Sequence, residues 1–248
     1  MLTKRGLMFR FYKIRKKIST KNKSRHNPEI FYDKLFFSIK EIVKKQEVRL
    51  IVEIGTNWGE GSTLAIMQGL KKKRDFKVYL IEINSEKIDY LKNKFGTTKN
   101  VTICSGSTIT TKEFPSWRQV IKNVKSNNLN RAWSHKKLEN LYTEEFNEVS
   151  IKELENSAGI LTSDPNFKRI RDIVDLLIID GGEFSARAEL NFFVEPKYIV
   201  LDDILSYKNF ENFNILLRDK NYILIEADFL IRSGFAIFKK QLISEFIN

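Results

Sequence analysis

The stretch IVEIGTNWGEGS, residues 51–62, passes from an apolar run into a glycine-rich turn, with one carboxylate, Glu53, just ahead of the first glycine. A short β-branched run ending in glycines is how a buried strand delivers its chain to a backbone cradle, and a helical pattern from about Glu60 to Lys73 follows it. Gly55, Gly59 and Gly61 give G-x-x-x-G-x-G, not the G-x-G-x-x-G of dinucleotide sites, and Ser62 lacks the preceding lysine of a phosphate-binding loop. Glu53 also opposes a pyrophosphate, since two negative charges would face each other across a short gap. A cationic or hydrogen-donating group suits this turn better.

Outward from the turn, the same alternation continues. RLIVEI, KVYLIEI, NVTICS, IVDLLIID and KYIVLDD are short apolar runs without polar alternation, as strands covered on both faces require. Helical patterns lie between them, from Ser85 to Phe95 and near 184–193, with another near 207–219 after the last run. PEIFYDKLFFSIKEIVKKQ, opening at Pro28, precedes the first run with Ile30, Phe31, Leu35, Ile39 and Ile42 on roughly one face of a helix. The expected fold is α/β: a doubly wound, Rossmann-like, mostly parallel sheet. Residues 108–170 break the rhythm, being far longer than an ordinary crossover, with helical stretches at SWRQVIKNVK and SHKKLENLYTEEF. They read as a helical insertion leaving the carboxyl edge of the sheet, where ligands of such sheets bind. A lid over a substrate and a surface or dimerisation element are both open for it; Trp133 and His135 within it invite a site reading, but a lone histidine on a charged helix reads as solvated.

Length and composition fit this outline. A chain of 248 residues, 42% hydrophobic and 12% aromatic, can bury a substantial core, and its one cysteine, Cys104, excludes a disulfide framework. The expected setting is a reducing cytoplasm, with no signal peptide or membrane span. The net charge of +12 is concentrated: residues 1–28 hold ten Lys/Arg and no acid, leaving 33 basic against 31 acidic residues elsewhere. Residues 1–27 thus form a basic tail before a near-neutral domain, 28–248. Leu7, Phe9, Phe11 and Ile14 interleave with its charges, which tilts it towards peripheral contact with the inner face of a membrane; RNA phosphates or plain solvation are the alternatives.

KVYLIEI ends in Glu82, about thirty residues after the glycine turn, where a carboxylate can accept ribose hydroxyls. With Glu53 it suggests an adenosine that carries a positive tail. Over residues 48–107 and 173–240 the sequence resembles the class I S-adenosylmethionine-dependent methyltransferases, and NYILIEAD and SGFAIFKK resemble the antiparallel hairpin that closes that family's seven-stranded sheet. The resemblance implies that Glu53, Gly55, Thr56, Asn57 and Gly59 surround the methionine part of the cofactor, that Glu82 holds the ribose, and that Gly106 and Ser107 flank the adenine. LIIDGGEF and YIVLDDI put Asp180, Asp202 and Asp203 at two further strand ends, similar to the metal-dependent catechol-type and bacterial sugar O-methyltransferases. These three would hold Mg²⁺, or Asp202 and Asp203 would only cap the following helix. Where the sugar-directed enzymes usually carry a histidine three residues after the aspartate, this chain has Glu183, the candidate proton acceptor beside Asp180. The implied activity is methyl transfer to a hydroxyl of a small molecule or glycan. An RNA methyltransferase anchored by the tail and a non-catalytic scaffold are the alternatives.

Overall fold

The computed structural model describes residues 28–130, 133–155, 161 and 165–241; the basic tail, with the membrane contact expected of it, lies outside the described residues. The elements run α1 (Lys34–Lys44), β1 (Leu50–Ile54), α2 (Ser62–Leu70), β2 (Lys77–Glu82), α3 (Ser85–Phe95), β3 (Val101–Ser105), α4 (Trp117–Asn127), α5 (His135–Leu154), α6 (Pro165–Lys168), β4 (Leu176–Ile179), α7 (Ala186–Phe192), β5 (Tyr198–Asp202), α8 (Tyr207–Arg218), β6 (Tyr222–Asp228) and β7 (Phe235–Lys240).

The seven strands form one sheet in the order β3-β2-β1-β4-β5-β7-β6, parallel from β1 to β5 and antiparallel where β7 meets β5 and β6. The C-terminal hairpin is therefore as the sequence led us to expect. The unalternated runs have their explanation in two apolar layers. Ile51, Leu80, Ile178 and Val200 face Phe36, Ile39, Ile66 and Leu91, while Val52, Ile81, Ile179 and Leu201 face Phe167, Leu190, Phe193 and Leu216. Successive residues of each strand point to opposite, equally covered faces.

The insertion builds α4, α5 and α6 between β3 and β4. It has a small core of its own, in which Ile109, Phe114, Val120, Leu138 and Val149 surround Phe184, from the loop after β4. The first helix departs from its sequence reading. It starts at Lys34 rather than near Pro28, because Asp33 caps it by accepting the backbone N–H of Phe36 at 2.9 Å. Residues 28–30 are released from the helix and line the cavity described below. No helix among the described residues is long and apolar enough to cross a membrane.

Candidate functional site

Parallel strands with a common direction bring the ends of β1, β2, β3, β4 and β5 to one edge, and a cavity of about 490 Å³ lies there. That volume is in the range of small-molecule sites. Its wall includes Gly55, Thr56, Asn57 and Trp58 after β1, Glu82 on β2, Gly106, Ser107 and Thr108 after β3, Asp180, Gly181 and Gly182 after β4, and Asp202 and Asp203 at the end of β5.

The turn after β1 is fixed against its neighbours. The N–H groups of Gly55 and Thr56, and the Thr56 hydroxyl, all donate to the Ile81 carbonyl. Gly55 has φ +80°, and a Cβ there would lie 2.2 Å from the Asp180 carbonyl oxygen, so no other residue fits between the two strand ends. Glu82 closes the turn from the other side. One oxygen accepts the N–H of Asn57 at 2.7 Å, and the other accepts those of Ile83 and Asn84 at 3.0 Å. A carboxylate has about four acceptor positions, so roughly one remains for a ligand hydroxyl.

Several candidates from the sequence stand elsewhere. Glu53 is fully buried behind the turn and off the cavity wall, held by the hydroxyls of Ser62 and Thr63. Burial pushes its carboxyl up to about 8, against the pull of those two hydroxyls. Its work is to fix the start of α2. Gly59 is also off the wall, and it is small because Leu91 and Phe95 pack against it. Ser107 lines the cavity, but its hydroxyl is turned onto the backbone of Ile109. The neighbouring Thr108 is left over: its hydroxyl is buried in the wall without a hydrogen-bond partner among the described residues. Glu183 does not reach the wall. It accepts the side-chain amide of Asn130 at 2.8 Å and the N–H of Lys208 at 3.3 Å, so it ties the insertion to α8.

Two glutamates that the sequence did not single out complete the wall. Glu145, on α5, accepts the N–H groups of Phe184 at 3.0 Å and Ser185 at 3.0 Å, at the start of α7. Burial raises its carboxyl to about 7, against those donors. Gly182 makes the contact possible, since a Cβ there would fall 2.0 Å from Glu145 Oε1. Through Glu145, Glu148 and Val149 the insertion forms part of the wall. Glu189, on α7, is buried with Oε2 unpartnered, and burial raises its carboxyl to about 8.

Asp180, Asp202 and Asp203 converge as expected, with carboxylate oxygens within 4.8 Å of one another. They are not left unpaired. Lys208 Nζ lies 3.0 Å from Asp180 Oδ1 and 2.8 Å from Asp203 Oδ2, while Arg232 bridges Asp202 to Asp33. Burial alone would lower the Lys208 ammonium, but Asp180, Asp203 and Asp202 more than reverse that and hold it charged. A divalent ion on the same oxygens would lie about 4 Å from this ammonium, a repulsion on the order of 8 kcal/mol at an effective dielectric constant of about 20. As arranged, the three aspartates do not fit Mg²⁺.

The chain matches no protein-family model and no curated protein. Solved structures of low identity share its fold. A methyltransferase from Geobacter sulfurreducens superposes with a TM-score of 0.50 at 10% identity, covering 91% of this chain and 86% of that one. An O-methyltransferase from Bacillus cereus, in complex with S-adenosylhomocysteine, gives a TM-score of 0.51 at 12% identity, covering 91% and 90%. The fold is thus the one that those two structures share, a seven-stranded Rossmann-like sheet closed by an antiparallel hairpin.

Proposed function

We propose that this protein is an S-adenosylmethionine-dependent O-methyltransferase acting on a hydroxyl of a small molecule or glycan. The observation that carries the reading is the position of Glu82: a carboxylate at the end of β2, on the cavity wall, with three of its acceptor positions used by the glycine turn and about one left for a ribose hydroxyl. The orphaned hydroxyl of Thr108 and the unpartnered Oε2 of Glu189 fit the same ligand, because each needs a hydrogen-bond partner that the described residues do not supply. The Bacillus cereus structure that shares the fold holds S-adenosylhomocysteine, the product of such a transfer.

When bound, the cofactor supplies a methyl group on a sulfonium whose positive charge disappears as the methyl leaves. What this chain's own residues would then have to do is hold the acceptor oxygen and take the proton of its hydroxyl. We assign the base to Asp180, at Oδ2, because Oδ1 is engaged with Lys208. Burial raises the Asp180 carboxyl, which makes it a better proton acceptor than a solvated aspartate, although Lys208 works against that rise. Lys208 donates to Asp180 and Asp203 and has three N–H groups, so one remains to hold the acceptor oxygen. The acidic wall, with Glu29, Glu60, Glu82 and Glu148, disfavours a polyanion such as RNA as the acceptor. The reading is tested by incubating the full chain with methyl-labelled S-adenosylmethionine and a panel of sugars, glycans, small phenols and RNA. Label on a sugar or phenol hydroxyl is expected, and label only on RNA bases would overturn it.

A further inference from the structure

We infer that Lys208 takes the place of a divalent metal in this site, so that the cavity is built to work without one. The inference deepens the methyltransferase reading and rests on it for the meaning of the site, but not for the cation.

Lys208 is the second residue of α8, whose cap is Ser206. Two local rules disfavour a lysine there. The amino end of a helix carries partial positive charge, which repels a cation within the first turn, and a buried ammonium loses its hydration. The chain meets both costs with carboxylates from two separate strand ends, Asp180 after β4 and Asp203 after β5, each within 3.0 Å of Nζ. Asp203 makes its contact from a left-handed backbone, φ +57°, a conformation that aspartate tolerates better than most residues other than glycine. The third carboxylate, Asp202, is satisfied separately by Arg232, whose guanidinium also holds the cap of α1 through Asp33. Two cations of the chain thus serve the three acids that come within coordination distance of one another. One of the two, Lys208, lies on the cavity wall itself.

The test uses Mn²⁺ as the probe, on the chelator-treated full chain, with bound metal read by electron paramagnetic resonance and S-adenosylhomocysteine affinity read by calorimetry on the same samples. The wild-type chain should take up no Mn²⁺ at the site, and its S-adenosylhomocysteine affinity should be the same with Mn²⁺ or with excess chelator. Lys208→Met should gain one Mn²⁺ per chain, and Asp180→Asn placed on top of it should lose that ion. Lys208→Arg, which keeps the charge, should bind none and serves as the folded control. A wild-type chain that binds Mn²⁺ and loses it in Asp180→Asn overturns the inference, whether or not the variants fold. A folded Lys208→Met that gains no metal overturns it as well. Absence of S-adenosylhomocysteine binding in all samples would instead count against the methyltransferase reading, and the metal readout would stand separately.

Discussion

Replacing Gly182 by alanine should unlatch the insertion from the sheet edge, and the structure says by how much. The new methyl would fall 2.0 Å from Glu145 Oε1 and 2.8 Å from Ser185 Oγ. Glu145 is at the end of a flexible side chain and would move, but it would then abandon the N–H groups of Phe184 and Ser185, at 3.0 Å each. Each buried donor left unpaired costs about 1–3 kcal/mol, so Gly182→Ala should destabilise by roughly 2–4 kcal/mol once partial rescue by water is allowed. Glu145→Ala removes the same two bonds and should cost a similar amount. The decisive quantity is the coupling. Because each change alone already breaks the latch, the double variant should be little worse than either single one, giving an interaction of about 2 kcal/mol in a double-mutant cycle. Urea unfolding followed by tryptophan fluorescence measures all four proteins. Additive losses would refute the latch, since they would mean that Glu145 keeps its bonds when Gly182 is replaced.

Three further expectations follow from the wall of the cavity. Glu82→Ala should weaken S-adenosylmethionine binding by roughly 1–3 kcal/mol through lost hydrogen bonds to charge, and an unchanged dissociation constant in calorimetry would contradict the assignment of the ribose. Thr108→Val removes an orphaned hydroxyl, so the free protein should be no less stable while cofactor affinity falls by about 1 kcal/mol; a variant with lower stability and normal affinity would place that hydroxyl in the fold alone. Glu53, Glu145 and Glu189 are raised by burial to about 8, 7 and 8 from an ordinary 4.5. The folded state therefore holds protons that the unfolded chain releases, so stability is unaffected by these groups below about 4.5 and falls as pH rises from there to about 8. Urea midpoints should correspond to a loss of several kcal/mol between about pH 5.5 and 8.5, each group contributing about 1.4 kcal/mol per pH unit up to its folded value, and a stability that rises over that window would show these carboxyls to be ionised in the fold.

The sequence disclosed the positions that follow from local pattern. Glycines after an apolar run announce a turn, and an acid closing such a run stands at a strand end, which is why Gly55, Glu82, Asp180, Asp202 and Asp203 could all be put on one edge. Contacts between distant segments leave no such mark. Glu145 meets the N–H of Phe184 across 39 residues, and nothing in a single sequence pairs them; the glycine at 182 was visible, but the side chain that requires it was not. Glu183 was read as facing the acceptor, whereas Asn130 of the insertion draws it away. Glu53 was read as a cofactor contact, whereas Ser62 and Thr63 of the following helix keep it behind the turn. The one missed residue that did carry a signal is Lys208, a cation at the wrong end of a helix just after a pair of aspartates.

The most direct measurement of the central claim is a calorimetric comparison of S-adenosylmethionine, S-adenosylhomocysteine, NAD and ATP binding to the full chain in excess chelator, repeated with Glu82→Ala. The account predicts one site for S-adenosylmethionine and its product, weakened in the variant, and much weaker binding of the two phosphate-bearing ligands, which the acids of the wall would repel. Binding of NAD or ATP tighter than S-adenosylmethionine would contradict it.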